Sequence, residues 1–167
     1  MHLLVIRHAI AEEREEFART GEDDDKRPLT ARGIRRMRRG ARGLRRVVPA
    51  IDVLASSPLV RAWQTAEIIA PVYDGIAIDS LDALKPDAPP SALRAWVRTR
   101  GDAETVAIVG HEPHLGALVS WLLAGSDNSF VELRKGGAAL LELDRIAAPG
   151  SARLHWLLGA VQLRAMT

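Results

Sequence analysis

Residues 2–9 read His-Leu-Leu-Val-Ile-Arg-His-Ala, an apolar run of strand length that stops abruptly on an arginine and a histidine. Strand ends are where α/β folds place their chemistry. An imidazole can attack phosphorus, and a guanidinium beside it can hold phosphate oxygens in a bidentate fork. Arg7-His8 on a rigid strand end therefore reads as a phosphoryl-transfer nucleophile with its clamp, against the plainer reading of two solvated surface residues.

Two further segments repeat the design. Val53-Leu54-Ala55 runs into Ser56-Ser57-Pro58-Leu59-Val60-Arg61-Ala62-Trp63-Gln64-Thr65-Ala66, which opens a helix with Pro58 in its first turn and Arg61 near its start. Thr105-Val106-Ala107-Ile108-Val109-Gly110-His111 is a second apolar run that delivers a histidine, and Glu112-Pro113 then begins another helical segment. In a parallel sheet such ends lie on one edge, so Arg7, His8, Arg61 and His111 can converge on one phosphate.

On these residues the chain resembles the histidine phosphatase superfamily, and within it the small SixA-type phosphohistidine phosphatases. The likeness rests on Arg7-His8, on Arg27-Pro28-Leu29-Thr30 followed by Gly33, on the block from Ser57-Pro58 through Arg61-Ala62 to Gln64-Thr65, and on Gly110-His111. The ordered set is far more specific than any one member. The resemblance implies a double displacement in which His8 is transiently phosphorylated, Arg7 and Arg61 hold the phosphoryl oxygens and His111 adds a donor. A loose phosphoryl-transfer transition state needs an in-line nucleophile and positive charge about the equatorial oxygens, which these side chains supply without a metal or cofactor. Arg27, just before the Pro28-Leu29-Thr30 helix start, is a further candidate for binding the phosphate or its carrier.

The chain departs from the family pattern twice. Ala9 stands where glycine usually follows the Arg-His pair, so the backbone there must avoid a conformation open only to glycine. Larger members also carry an acidic proton donor after the third strand, and Asp82 in Ser80-Leu81-Asp82-Ala83-Leu84-Lys85-Pro86 is the local candidate, an ordinary loop aspartate being the alternative. An imidazole leaving group departs readily once protonated, whereas an alkoxide needs a placed acid. An uncertain donor therefore tilts the expected reaction toward phosphohistidine on a signalling protein. A broad small-molecule phosphomonoesterase and a non-catalytic phosphate-binding module are the alternatives; a phosphoglycerate mutase is disfavoured by the short chain.

At 167 residues and 47% hydrophobic, the chain suits one domain spanning 1–167. The absence of cysteine excludes disulfides, cysteine-ligated metals and thiolate phosphatases. No membrane span or cleavable signal is visible, so a cytoplasmic monomer is expected. Charge is uneven although its sum is only +2. Eight acids fall in 12–25, ending in Glu22-Asp23-Asp24-Asp25, and eight arginines fall in 32–46 with no acid among them. The acidic stretch leaves from beside His8 and reads as a loop or flap, with three fates open to it: a surface insertion, neutralisation by the arginine helix, or selection of a basic substrate surface. Thr30 reads as the cap of the arginine helix, with Ile34, Met37, Ala41, Leu44 and Val48 facing the sheet. Its arginines are solvated or dock an acidic partner; nucleic acid is not expected.

The pattern predicts strands near 2–7, 52–56, 76–79, 104–110, 138–144 and 152–158, and helices near 30–47, 58–71, 90–99 and 113–124. This is an α/β class chain: a three-layer α/β/α domain with a mostly parallel sheet, helices on both faces and a late hairpin at the edge. The proline-rich 81–91 stretch should approach the rim of the site. His114 reads as a surface or supporting residue, since no ligand joins it and His111 in a metal motif. His2 and His155 read as structural, Trp96 and Trp121 as core, and Trp63 as packed on the sheet or at the rim.

Overall fold

Consecutive side chains of the first strand point into two different cores. In β1 (His2–Arg7), Leu4 and Ile6 join one buried cluster and Leu3 and Val5 the other, which is why the run is apolar throughout rather than alternating. The computed structural model of the chain describes residues 1–144 and 147–167. After β1 come α1 (Arg14–Ala18), α2 (Ala31–Val47), β2 (Val53–Ser56), α3 (Val60–Ile69), β3 (Ile78–Ser80), α4 (Pro90–Arg98), β4 (Thr105–Gly110), α5 (His114–Ala124), β5 (Ala138–Glu142), β6 (Arg153–Leu158) and α6 (Ala160–Ala165).

The strands form one sheet in the order β3-β2-β4-β1-β5-β6. The first four are parallel, and β5 and β6 add an antiparallel hairpin at one end. Met37, Ala41 and Leu44 of α2, Ala62 and Ile69 of α3 and Leu163 of α6 cover one face. Leu93 and Val97 of α4 and Leu115, Val119 and Leu122 of α5 cover the other. The expected three-layer arrangement is present, and no helix of the described residues is long and apolar enough to cross a membrane.

Register fixes the site. Arg7 pairs with Gly110, Ile6 with Val109, and Ser56 with Val109. The parallel strands thus end level with one another, and the residues just beyond them are His8, Ser57 and His111.

Departures from the expected elements have local causes. Helix α3 gives way to a 310 turn at Ala70–Tyr73, because Pro71 lacks an amide hydrogen to continue the ladder and Asp74 turns left-handed at φ 59°. The short helices α1 and α6 were not anticipated, each being too brief for a periodic signal. Trp96 and Trp121 are half-buried rather than core, each with a guanidinium over its ring, Arg100 at 5.1 Å and Arg94 at 4.5 Å; an indole at the edge of a core keeps an open face for a cation.

Candidate active site

The pocket at the strand ends encloses about 230 Å3 and is lined by Arg7, His8, Arg27, Arg61 and His111. Four of the expected site residues and the additional Arg27 are thereby brought together. His8, Arg27, Arg61 and His111 are all buried.

Thr65 ties the chain beside His8 to Arg61. Its hydroxyl donates to the Arg61 carbonyl at 2.7 Å and accepts from the Ala9 amide at 3.0 Å, so the start of α3 and the chain just after His8 share one bond. Ala9 is not among the residues with positive φ; alanine replaces the expected glycine without backbone strain. The next residues pair with the approach to α2: Ala11 bridges Leu29, the Glu12 amide donates to the Pro28 carbonyl at 3.0 Å and the Thr30 amide to that of Ile10 at 3.0 Å. Gln64 accepts from the Leu29 amide at 2.8 Å. Thr30 caps α2 by accepting from the Gly33 amide at 2.9 Å. Any β-carbon on Gly33 would run into the Ile10 carbonyl. The other residues of the Arg27–Gly33 and Ser57–Thr65 motifs are therefore the scaffold that holds Arg27 and Arg61 beside His8.

The state of His8 follows from one bond. Its Nδ1 lies 2.7 Å from the Ala9 carbonyl oxygen, and a carbonyl only accepts, so Nδ1 carries the hydrogen and Nε2 keeps its lone pair. Burial lowers the His8 pKa from 6.5 to about 3; the Ala9 bond opposes this, and the charges of Arg61, Arg7 and Arg27 add to it. His111 falls to about 2, chiefly through burial and then through His8 and Arg61. Both rings are neutral at ordinary pH, 5.1 Å apart between centroids. Ser57 Oγ lies 2.9 Å from His111 Nε2 and accepts from the Leu59 amide at 3.3 Å. Its own hydrogen can donate to Nε2 in the tautomer that carries the His111 hydrogen on Nδ1. Among the described residues the His111 Nδ1 is buried without a partner, as are Nε of Arg7 and Nε of Arg61. Three such nitrogens on one pocket give it hydrogen-bonding capacity that the surrounding side chains do not use.

The acidic segment answers part of that charge. Asp24, in a 310 turn at Asp24–Lys26, contacts Arg27 Nε at 2.8 Å, Arg61 Nη2 at 3.2 Å and Arg14 Nε at 3.5 Å, and its carbonyl accepts from Arg61 Nη1 at 2.9 Å. Of the acids at the mouth, Asp24 is thus the one paired with arginines of the site, and among the described residues no ion pair joins the acidic segment to the arginine helix α2. Within the segment Glu22 pairs with Lys26 at 2.6 Å.

Asp82 is not brought to the pocket. It is exposed and paired with Lys85 at 2.9 Å, on a 310 turn at Asp82–Leu84. His114 is buried and donates from Nε2 to the Ala83 carbonyl at 3.0 Å, which fixes that turn, and Pro86 reaches the rim as expected. The carboxylates that do line the pocket are Glu13 and Glu112. Glu112 accepts from the Leu133 amide at 3.1 Å, and burial raises its pKa above the ordinary value against that bond and the charge of Arg7. Neither was picked out from sequence. Trp63 faces Glu67, donating to it at 3.2 Å, and His155 sits exposed on β6, 3.2 Å from Glu142. Among the described residues no group of three or more His, Cys, Asp or Glu is placed to hold a metal ion.

The model of the histidine phosphatase superfamily (branch 1) matches residues 3–85. An uncharacterised protein of Picosynechococcus sp. is 34% identical over 140 residues, 82% of each chain. Among solved structures, the protein histidine phosphatase SixA complexed with tungstate superposes with a TM-score of 0.84 at 22% identity over 98% of this chain and 99% of that one. The α-ribazole phosphatase of Shigella flexneri superposes at 0.72 with 17% identity, covering 96% and 97%. The chain belongs to the histidine phosphatase superfamily.

Proposed function

We propose that this superfamily phosphatase removes phosphoryl groups from histidine side chains of a signalling protein, through a phosphorylated His8. The observation that carries the reading is the bond from His8 to the Ala9 carbonyl, which presents an unprotonated Nε2 inside a ring of guanidinium groups. Nε2 attacks phosphorus, and the phosphorus–nitrogen bond of the substrate breaks with its electron pair going to the leaving imidazole, which takes up a proton. Water then attacks the phosphoryl group on His8, the new phosphorus–nitrogen bond breaks, and phosphate leaves. Arg7, Arg27 and Arg61 meet the charge on the equatorial oxygens, and the free Nδ1–H of His111 adds a neutral donor. These charges belong to the protein, so the step needs no metal.

Two features favour a protein-borne phosphohistidine. A pocket of about 230 Å3 lies below the range of roughly 300–1,000 Å3 usual for small-molecule sites, so it holds a phosphoryl group and little of what bears it. The fold is also shared across nearly the full chain with a protein histidine phosphatase. One observation favours the small-ester alternative: Glu112, raised in pKa at the pocket wall, has the character of an acid for an alkoxide leaving group.

The test is phosphate release, in excess EDTA, from a phosphohistidine protein, a phosphoserine peptide and p-nitrophenyl phosphate, by wild type and His8→Ala. Release from phosphohistidine that outpaces the ester substrates and vanishes in His8→Ala is expected. Activity retained by His8→Ala overturns the nucleophile, and faster turnover of the esters overturns the substrate class.

A further inference from the structure

A second cavity adjoins the catalytic pocket. Between the first half of α2 and α6, beside the segment carrying Arg134 and Lys135, lies an open groove of about 410 Å3. Lys135 lines both cavities. The walls are largely apolar, including Met37 and Val161, and Val161 is 67% exposed. Arg36, Arg134, Lys135 and Arg164 also line it, and among the described residues none of the four is in an ion pair. Desolvation and the like charges of Arg32 and Arg164 hold Arg36 below its ordinary pKa, the sign of a cationic cluster without a counter-charge.

Glycine is disfavoured inside a helix unless close packing demands it. Two glycines of α2 meet that demand, since a β-carbon on Gly33 would strike the Ile10 carbonyl and one on Gly43 the Leu163 carbonyl. Gly40 does not: a β-carbon there would meet nothing within 4 Å. Gly40 lines the groove, and its missing side chain is what keeps that stretch of the wall open.

We propose that this groove binds an organic anion with an apolar body, an alkyl or aryl carboxylate, sulfonate or phosphate. The body lies along Met37, Gly40 and Val161, and the head meets the four cations. A neutral apolar ligand would leave those cations unanswered. A nucleic acid would use the cations but not the apolar walls, and the lining offers no aromatic ring for base stacking. The volume lies within the usual small-molecule range, about 300–1,000 Å3. The site stands apart from the phosphatase reading, because its occupancy is measured without turnover.

The experiment is calorimetric titration of the wild-type chain with decanoate and with decanol, and fluorescence titration with anilinonaphthalene sulfonate. Gly40→Leu projects a side chain into the groove from a position where the β-carbon meets nothing within 4 Å, and Arg36→Glu with Arg164→Glu reverses its charge at positions outside the core. One decanoate per chain is expected, displacing the dye, weakened about tenfold or more in each variant, with no decanol binding. Gly40→Leu should melt no lower than wild type and keep its phosphatase activity; should it misfold, the charge-reversed variant carries the same test. Decanoate binding that is absent, or unchanged in the variants, overturns the proposal, as does binding of a DNA duplex that decanoate fails to displace.

Discussion

Asp24 holds Arg61 twice, once through its carbonyl at 2.9 Å and once through its carboxylate at 3.2 Å. The guanidinium proposed to grip phosphate is thus already gripped by an anion of the protein. An incoming phosphoryl group has to share Arg61 and Arg27 with that carboxylate or displace it.

Removing the charge and keeping the shape separates these effects. In Asp24→Asn, inorganic phosphate should inhibit more strongly than in wild type, by several-fold, because a competing anion is gone. Desolvation alone would raise the Asp24 carboxyl, but the hydrogen bond from Arg27 and the charges of Arg61, Arg27 and Arg14 outweigh it and leave it below the ordinary value, so wild-type Asp24 stays charged throughout the neutral range. An unchanged phosphate inhibition constant would show that the carboxylate does not compete.

The buried imidazoles set a pH dependence of stability. Folded His8 and His111 titrate near about 3 and about 2 against an ordinary 6.5, so between these values the unfolded chain binds protons that the folded chain does not. Stability is therefore complete above about pH 6.5 and falls as pH drops toward 3. Thermal melting followed from pH 7 to pH 4 should show this fall, and His8→Asn should show a shallower one. Parallel curves for the two proteins would rule out His8 as a contributor.

Thr65→Val keeps the side-chain shape and deletes the bond to the Ala9 amide. A buried amide left without its acceptor costs about 1–3 kcal/mol, measurable by urea unfolding. Turnover should fall as well, since the chain beside His8 loses its tie to Arg61, with the loss in kcat rather than in KM.

Asp82→Asn should leave turnover within about twofold of wild type, as for a surface substitution away from a site, because Asp82 faces Lys85 and solvent. Glu112→Gln is the informative contrast. A loss confined to ester substrates would assign Glu112 as a proton donor, and an equal loss on phosphohistidine and esters would make it a support for the Leu133 segment.

The convergence of Arg7, His8 and His111 was legible because each sits at or just after the end of an apolar run, Arg61 because it stands near the start of the helix that follows another, and parallel register does the rest. Arg27 was legible from its place before a capped helix. Asp24 was not, since it lies in a run of similar acids and only its position over Arg61 separates it from Asp23 or Asp25. The search for an acid led to Asp82 because Leu81–Ser91 carries no periodicity that could say which way a side chain faces. The opening beside Gly40 was equally hidden, as a glycine in an arginine-rich helix looks the same whether or not something fills the space beside it.

His8 and His111 follow equivalent positions on neighbouring strands, Arg7 lying opposite Gly110. Their ring separation of 5.1 Å is close to the spacing of about 4.8 Å between hydrogen-bonded strands. It is therefore governed by the backbone ladder of β1 and β4 more than by the side chains packed above and below. Helices on either face can drift in sequence, provided they stay apolar and about the right size, without moving one imidazole relative to the other. The fold persists in a SixA structure at only 22% identity with a TM-score of 0.84, as a sheet does when its backbone ladder, more than the side chains covering it, sets where its strand ends lie.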